Sequence, residues 1–210
     1  MTTKLALYNL ALGFLNERSL SSLSENREPR RVLDSFYDQD VAFCLGRGFW
    51  NFAMRAIKIT ESITIIPTFG YAFAFEHPAD WVRTYMISDN ERLDPLLERY
   101  NDEASVVYAD MTPLYLKYVS NNASYGLNLA AWSPSFTDYV ARRLAFNAAP
   151  RITNFGADRI ELLNKQQKAA CAIAAGTDAM DEPPQQPPAG SWARSRGGRY
   201  RKPRSLTLGY

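Results

Sequence analysis

The sequence predicts an α+β protein: a bundle of about four helices, an inserted β-rich lobe, and an extended C-terminal tail. Three observations carry this expectation. Apolar residues recur at helical spacing on both sides of a central stretch. From Asn51 to about Lys117 the pattern shifts to short alternations of aromatic and β-branched residues, which favour pleated, half-buried surfaces. Past Gly176 the run DEPPQQPPAG at 181–190 reads as an extended linker whose composition cannot form a packed core. The expected divisions are 1–50 for the N-terminal helices, 51–125 for the β insertion, 126–176 for the C-terminal helices, and 177–210 for the Pro-rich linker and basic tail.

Leu5, Tyr8, Leu12 and Leu15 share one helical face, which predicts a first helix over roughly 3–16. Pro29 suits an early helical position, and Val32, Leu33, Phe36, Tyr37, Val41 and Cys44 follow it on one wide apolar face, with Gly46 and Gly48 as the stop. In the central stretch, Phe52/Met54/Ala56, Ile63/Ile65 and Tyr71/Phe73/Phe75 are alternations. Pro78 and Asp80 suit a turn or helix start before Trp81-Val82-Arg83. Tyr85–Ile87, Ser105–Tyr108 and Leu114–Val119 are strand candidates, with a turn expected at Tyr100–Glu103, giving four to six short strands in all. Ser133-Pro134 opens a helix carrying Phe136, Tyr139, Val140 and Leu144, and Pro150 is expected to interrupt it. A last helix runs from about Asp158 and is expected to stop at Gly176. Two helical halves that each present one apolar face should pack together and project the β lobe from between them.

A chain of 210 residues with 46% hydrophobic and 13% aromatic side chains can bury a substantial core. Its formal charge is only +2. Residues 177–210 hold six Lys/Arg against three Asp/Glu, while the remainder holds 18 basic and 19 acidic side chains; a near-neutral body with a basic end is not a strongly basic nucleic-acid-binding fold. Cys44 and Cys171 are expected as buried free thiols inside helices. The N-terminal stretch contains Asn9 and Asn16 and no cleavage pattern, which argues against a signal peptide. No run is long enough for a membrane span. A soluble protein made in a reducing cytoplasm is expected.

Candidate chemistry is sparse. His77 is the single histidine and has no nucleophile motif around it. One histidine and two distant cysteines do not supply a zinc set, and no calcium loop occurs. Glu76 with Asp80, or Asp102 with Glu103, could be imagined as paired glycosidase carboxylates, but acidic pairs in turns are more often solvated. Cys44-Leu-Gly-Arg-Gly48 lacks the Gly-Lys-Ser/Thr ending of a phosphate loop and ends a helix rather than opening one. Asn122-Ala-Ser124 matches a glycosylation sequon without a secretion signal to give it meaning. In the tail, Trp192 and Tyr200 are interleaved with Arg194, Arg196, Arg199 and Arg201. Three readings fit: an arm docking on a protein neighbour, a nucleic-acid contact through phosphates and stacking, or an inert terminus.

The order of short motifs resembles the head-to-tail adaptor proteins of short-tailed bacteriophages, the tail tubular protein A family. The resemblance runs from Leu5 to about Gly198. It is carried by the Leu5–Asn16 helix, the Arg31–Leu45 helix, Gly48-Phe-Trp-Asn-Phe-Ala53 and Phe69-Gly-Tyr-Ala-Phe73. Pro78 and Asp80, Pro134-Ser-Phe136 with Leu144-Ala145, and Gly190-Ser-Trp-Ala-Arg194 complete it. It implies a non-enzymatic virion protein without cofactor or metal, assembled as a dodecameric ring between the capsid portal and a tail nozzle of the tail tubular protein B kind. Tail fibres are possible further partners. The genome would pass through the lumen without specific binding, and no membrane is involved. The protein would reside in the virion tail, and in the host cytoplasm during assembly. Carried over by position, helices near Val32–Leu45 and Phe136–Ala174 would form the ring body, and the lobe near Thr60–Val119 would face outward or toward the nozzle. Trp192, Arg194, Arg196, Arg199, Tyr200 and Arg201 would engage the portal. Trp50, Phe52, Tyr71, Pro78 and Asp80 are the expected structural junction. The alternative class is a nucleic-acid-binding module acting through the basic tail.

Overall fold

The structure, a computed structural model, describes residues 2–181. Its helices are α1 (Lys4–Phe14), α2 (Glu28–Leu45), α3 (Pro134–Ile152) and α4 (Ala157–Met180). Six strands lie between α2 and α3: β1 (Met54–Ile59), β2 (Phe73–Glu76), β3 (Trp81–Ser88), β4 (Tyr100–Glu103), β5 (Val106–Ala109) and β6 (Leu114–Ser120). The protein is therefore α+β, with a helical body and an inserted β lobe.

Local chemistry sets the helix starts. Thr3 caps α1 by accepting a hydrogen bond from the Ala6 amide at 3.2 Å, and Ser133 caps α3 by accepting from the Phe136 amide at 3.2 Å. Pro29 and Pro134 sit in the first turns of α2 and α3, where a missing N–H costs nothing. α3 packs against each of α1, α2 and α4. Leu7, Leu12, Leu33, Val41, Phe136, Val140 and Leu144 are fully enclosed in the resulting core. A second, smaller core in the lobe gathers Phe75, Ile87, Val107, Leu114, Leu116 and Tyr118.

The lobe holds two antiparallel three-stranded sheets, ordered β1-β6-β3 and β2-β5-β4. β6 is central in the first and pairs Met54 with Val119 and Ile59 with Leu114. Its apolar residues face both the lobe core and, through Val119, the helical core.

Several expected details are corrected. Tyr100–Glu103 is a strand, not a turn, because the reversal falls immediately after it, at Ala104-Ser105. Both residues there adopt positive φ (49° and 69°), as in the primed turns that match strand twist. Of the two readings of Pro78 and Asp80, the turn holds and the helix start does not, since Trp81-Val82-Arg83 begins β3. Ile63 and Ile65 lie in the β1–β2 connection, outside any strand, with Ile63 almost wholly exposed. Pro150 does not interrupt α3: it stands in the last turn, and the helix continues to Ile152. Gly176 does not stop α4, which runs four residues further to Met180.

Candidate functional site

The residues on which body and lobe meet are those between Gly48 and Ala53, immediately after α2. Trp50 is 1% exposed, and its indole N–H donates to the Cys44 carbonyl at 3.0 Å, bending the chain back onto the end of the helix it has just left. Its ring meets Phe136 edge-on at 4.7 Å and stacks with Phe52 at 6.4 Å. Phe52 in turn contacts Phe136 at 4.8 Å, and Trp132 closes the group edge-on against Phe136 at 5.0 Å. Trp132 is anchored by its own N–H to the Gly126 carbonyl at 2.8 Å. These rings arrive from the α2–β1 connection, the β6–α3 connection and α3, so one aromatic cluster ties together both ends of the insertion. The crossing is tight: a Cβ on Gly48 would lie 2.9 Å from the Trp50 ring, and one on Gly126 would lie 2.2 Å from the Ser120 carbonyl oxygen.

Asp80 forms the polar half of the junction. Its carboxylate accepts from the Arg55 guanidinium at 2.8 Å, from the Tyr118 hydroxyl at 2.9 Å, and from the Ser120 hydroxyl. Burial alone would raise its pKa, but the donors Ser120, Arg55 and Tyr118 outweigh that and hold it below the usual carboxylate range. The same contact acts oppositely on Tyr118, whose pKa is pushed up to about 12 by burial and by the Asp80 bond and charge. Two strands, β1 and β6, thereby converge on one carboxylate in the turn before β3. Pro78 shapes that turn, its carbonyl accepting from the Trp81 amide at 3.0 Å.

Tyr71 stands apart from this group. It lines a groove of about 300 Å³ with Ile66, Phe69 and Glu103 in the β2-β5-β4 half of the lobe. The expected docking residues Trp192, Arg194, Arg196, Arg199, Tyr200 and Arg201 lie outside the described residues.

A contact that the sequence reading missed comes from the end of α4. The Asp178 carboxylate accepts the Asn51 amide N–H at 3.0 and 3.1 Å, and the Asn51 side-chain amide donates to the Asp178 carbonyl at 2.8 Å. The signal was present in the spacing: Ala170, Ala174 and Asp178 continue one buried helical face past Gly176. Beside this clamp a cleft of about 350 Å³ opens between Phe49, Trp50, Tyr85 and Ala175.

The groups considered for catalysis occupy separate places. His77 is buried, its Nε2 2.8 Å from Asp102 and its ring stacked on Trp81 at 4.0 Å. Thr84 donates to the second oxygen of Asp102 at 3.1 Å, and Trp81 Nε1 donates to Thr84 at 3.0 Å. This network pins the edge of one lobe sheet to the other. Glu76 accepts from Ser62 and does not join Asp80, while Glu103 bonds the Asn101 amide rather than Asp102. Among the described residues no group of three or more His, Cys, Asp or Glu is placed to hold a metal. No helix there is long and apolar enough to cross a membrane. Cys44 and Cys171 are both free thiols, Cys44 buried and Cys171 partly exposed. Burial pushes the Cys44 thiol up to about 12, which makes it a poor nucleophile.

One more buried charge holds the body together. Asp40, fully enclosed on α2, pairs with Arg143 of α3 at 3.1 Å and accepts from Asn147 at 2.5 Å. Burial raises the Asp40 pKa against the opposing pull of Arg143. The Arg143 guanidinium also lies 4.0 Å over the Phe43 ring, at the mouth of a cleft of about 590 Å³ that reaches Lys168 on α4. No protein-family model and no curated protein sequence matches this chain.

Proposed function

We propose that this protein is a structural component of a virion: the head-to-tail adaptor that forms a ring between the capsid portal and the tail nozzle of a short-tailed bacteriophage. The observation that carries the reading is a rigid helical body that presents exposed apolar side chains on separate elements. Leu10 lies on α1, Leu23 in the connection between α1 and α2, and Leu162, Ile173 and Met180 along α4. A ring contact is heterologous, joining two different faces of each copy. Apolar residues on two different elements of one rigid body supply such a pair of faces, and α3, packed against both α1 and α4, holds them in fixed relation. The lobe, hung on the Trp50 and Asp80 junction, is then free to meet a second kind of neighbour such as the nozzle. The basic tail would engage the portal.

Mixing the purified protein with portal tests this reading. A ring-sized species of twelve copies on the portal is the expected product, and Ile173→Arg should abolish it while leaving the thermal melt unchanged. A protein that stays monomeric beside portal, or a ring indifferent to Ile173→Arg and Leu162→Arg, would refute the arrangement. The composition of the tail favours one competing reading, a nucleic-acid-binding module. That reading requires DNA affinity that falls steeply with salt and disappears on removal of residues 183–210.

A further inference from the structure

The β lobe and the C-terminal segment carry opposite charge. Residues 54–120 hold ten Asp/Glu against six Lys/Arg, while residues 182–210 hold six Lys/Arg and a single acidic residue. The lobe's excess is left open at its surface. Glu61, Glu76 and Glu103 hydrogen-bond to the neutral side chains of Thr112, Ser62 and Asn101 respectively. Among the described residues the lobe's arginine ion pairs go to other carboxylates, Arg55 to Asp80 and Arg99 to Asp110, while Asp102 is taken up by the His77 ring.

The same face exposes large apolar groups. Ile63, Ile66 and Phe69 are 96%, 81% and 89% exposed on one connection, between β1 and β2. Glu61 and Glu76 flank that connection on one side, around Ile63. On the other side, Ile66 and Phe69 wall the groove of about 300 Å³ whose rim carries Glu103. Isolated exposed apolar side chains need no explanation, but three on one loop beside a groove mark an interaction surface.

We propose that this surface is the docking site for this protein's own C-terminal segment, residues 190–204. That segment offers Trp192 and Tyr200 as apolar anchors, with Arg194, Arg196, Arg199 and Arg201 between and beside them. Trp and Arg are the residues that dominate interface energetics, and guanidinium groups bind carboxylates in two-pronged fashion. The chain can reach. Asp178, near the end of α4, is bonded to Asn51 at the base of the lobe, so the segment departs from beside the lobe it would bind. The 29 residues that follow Asp181 span at most about 100 Å when fully extended. β1, which leads from that base to the apolar connection, is six residues long, about 20 Å. The length therefore allows docking on the same copy or on a neighbouring one. The proposal does not depend on the adaptor reading, and any other partner of the tail would compete with the lobe for it.

Photo-cross-linking in the full-length chain decides the matter. With p-benzoylphenylalanine in place of Phe69, and separately of Ile66, irradiation at low salt should join the lobe to peptides from residues 190–204, identified by mass spectrometry. The yield should fall several-fold at high salt and in Arg199→Glu/Arg201→Glu, because the attraction is between exposed charges. Mixing isotopically heavy and light copies tells docking within one copy from docking between copies, and either result supports the proposal. Cross-links confined to other parts of the chain, the absence of any cross-link at both positions, or a yield indifferent to salt and charge reversal would overturn it. Ring assembly could survive such a result, so the two readings fail separately.

Discussion

Replacing Asp80 by Asn tests whether the junction is held by a charged acceptor. The carboxylate serves three donors: Arg55, Tyr118 and Ser120. Asparagine has the same shape but only one accepting oxygen, and its NH2 group cannot accept. Tyr118 and Ser120 are both fully buried, so at least one hydroxyl loses its acceptor away from water. A buried unsatisfied polar group costs about 1–3 kcal/mol, and the solvent-facing Arg55 pair adds little to that. Urea unfolding followed by tryptophan fluorescence at pH 7 should therefore show Asp80→Asn destabilised by about 1–3 kcal/mol. The pH dependence gives the second half of the test. Because folding lowers the Asp80 pKa below its ordinary value of 3.8, its contribution is complete above that value and is lost as pH falls through the depressed folded value. The gap between the two proteins should hold from pH 7 to about 5 and close on further acidification. A difference within about 0.5 kcal/mol at pH 7, the range of an ordinary surface substitution, would refute the reasoning. So would a gap that does not change with acid.

Other perturbations probe the remaining parts of the framework. Trp50→Ala removes the centre of the aromatic cluster and should cost about 3–5 kcal/mol in the same unfolding measurement. Arg143→Met leaves the buried Asp40 carboxyl without its cation and should cost about 3–5 kcal/mol; adding Asp40→Leu should restore much of the loss, which a double-mutant cycle reads directly. Asp178→Ala frees the end of α4 from Asn51, so hydrogen exchange at the Asn51 amide should accelerate markedly while amides in the middle of α3 keep their protection.

The helical half of the fold was open to reading because its signals are local and redundant. Thr3 and Ser133 caps, prolines in first turns and long apolar faces all point the same way in α1, α2 and α3. The lobe was read less well. β4 is the polar edge strand Tyr-Asn-Asp-Glu, whose residues look like a turn because both faces are largely solvated and its pairing partner β5 supplies the order. Ile63 and Ile65 alternate like a strand, yet no neighbour pairs with them, and alternation without a partner does not make a sheet. α4 outran its glycine because a helical glycine costs only about 1 kcal/mol, which the Asp178–Asn51 bonds can offset across 127 residues of sequence. Within the junction, Trp50 and Phe52 announced themselves by type and position. The partners that give Asp80 its role, Arg55, Tyr118 and Ser120, are brought together by strand register, which composition does not carry.

The proposed role is action by contact, as one subunit of a ring joining capsid to tail. Cryo-electron microscopy of the tail junction in intact particles tests it most directly. The expected density is a ring of twelve copies between portal and nozzle, with the α1–α4 body forming the annulus and the β lobe projecting from it. A junction built from a different chain, with this fold absent from the particle, would contradict the claim outright.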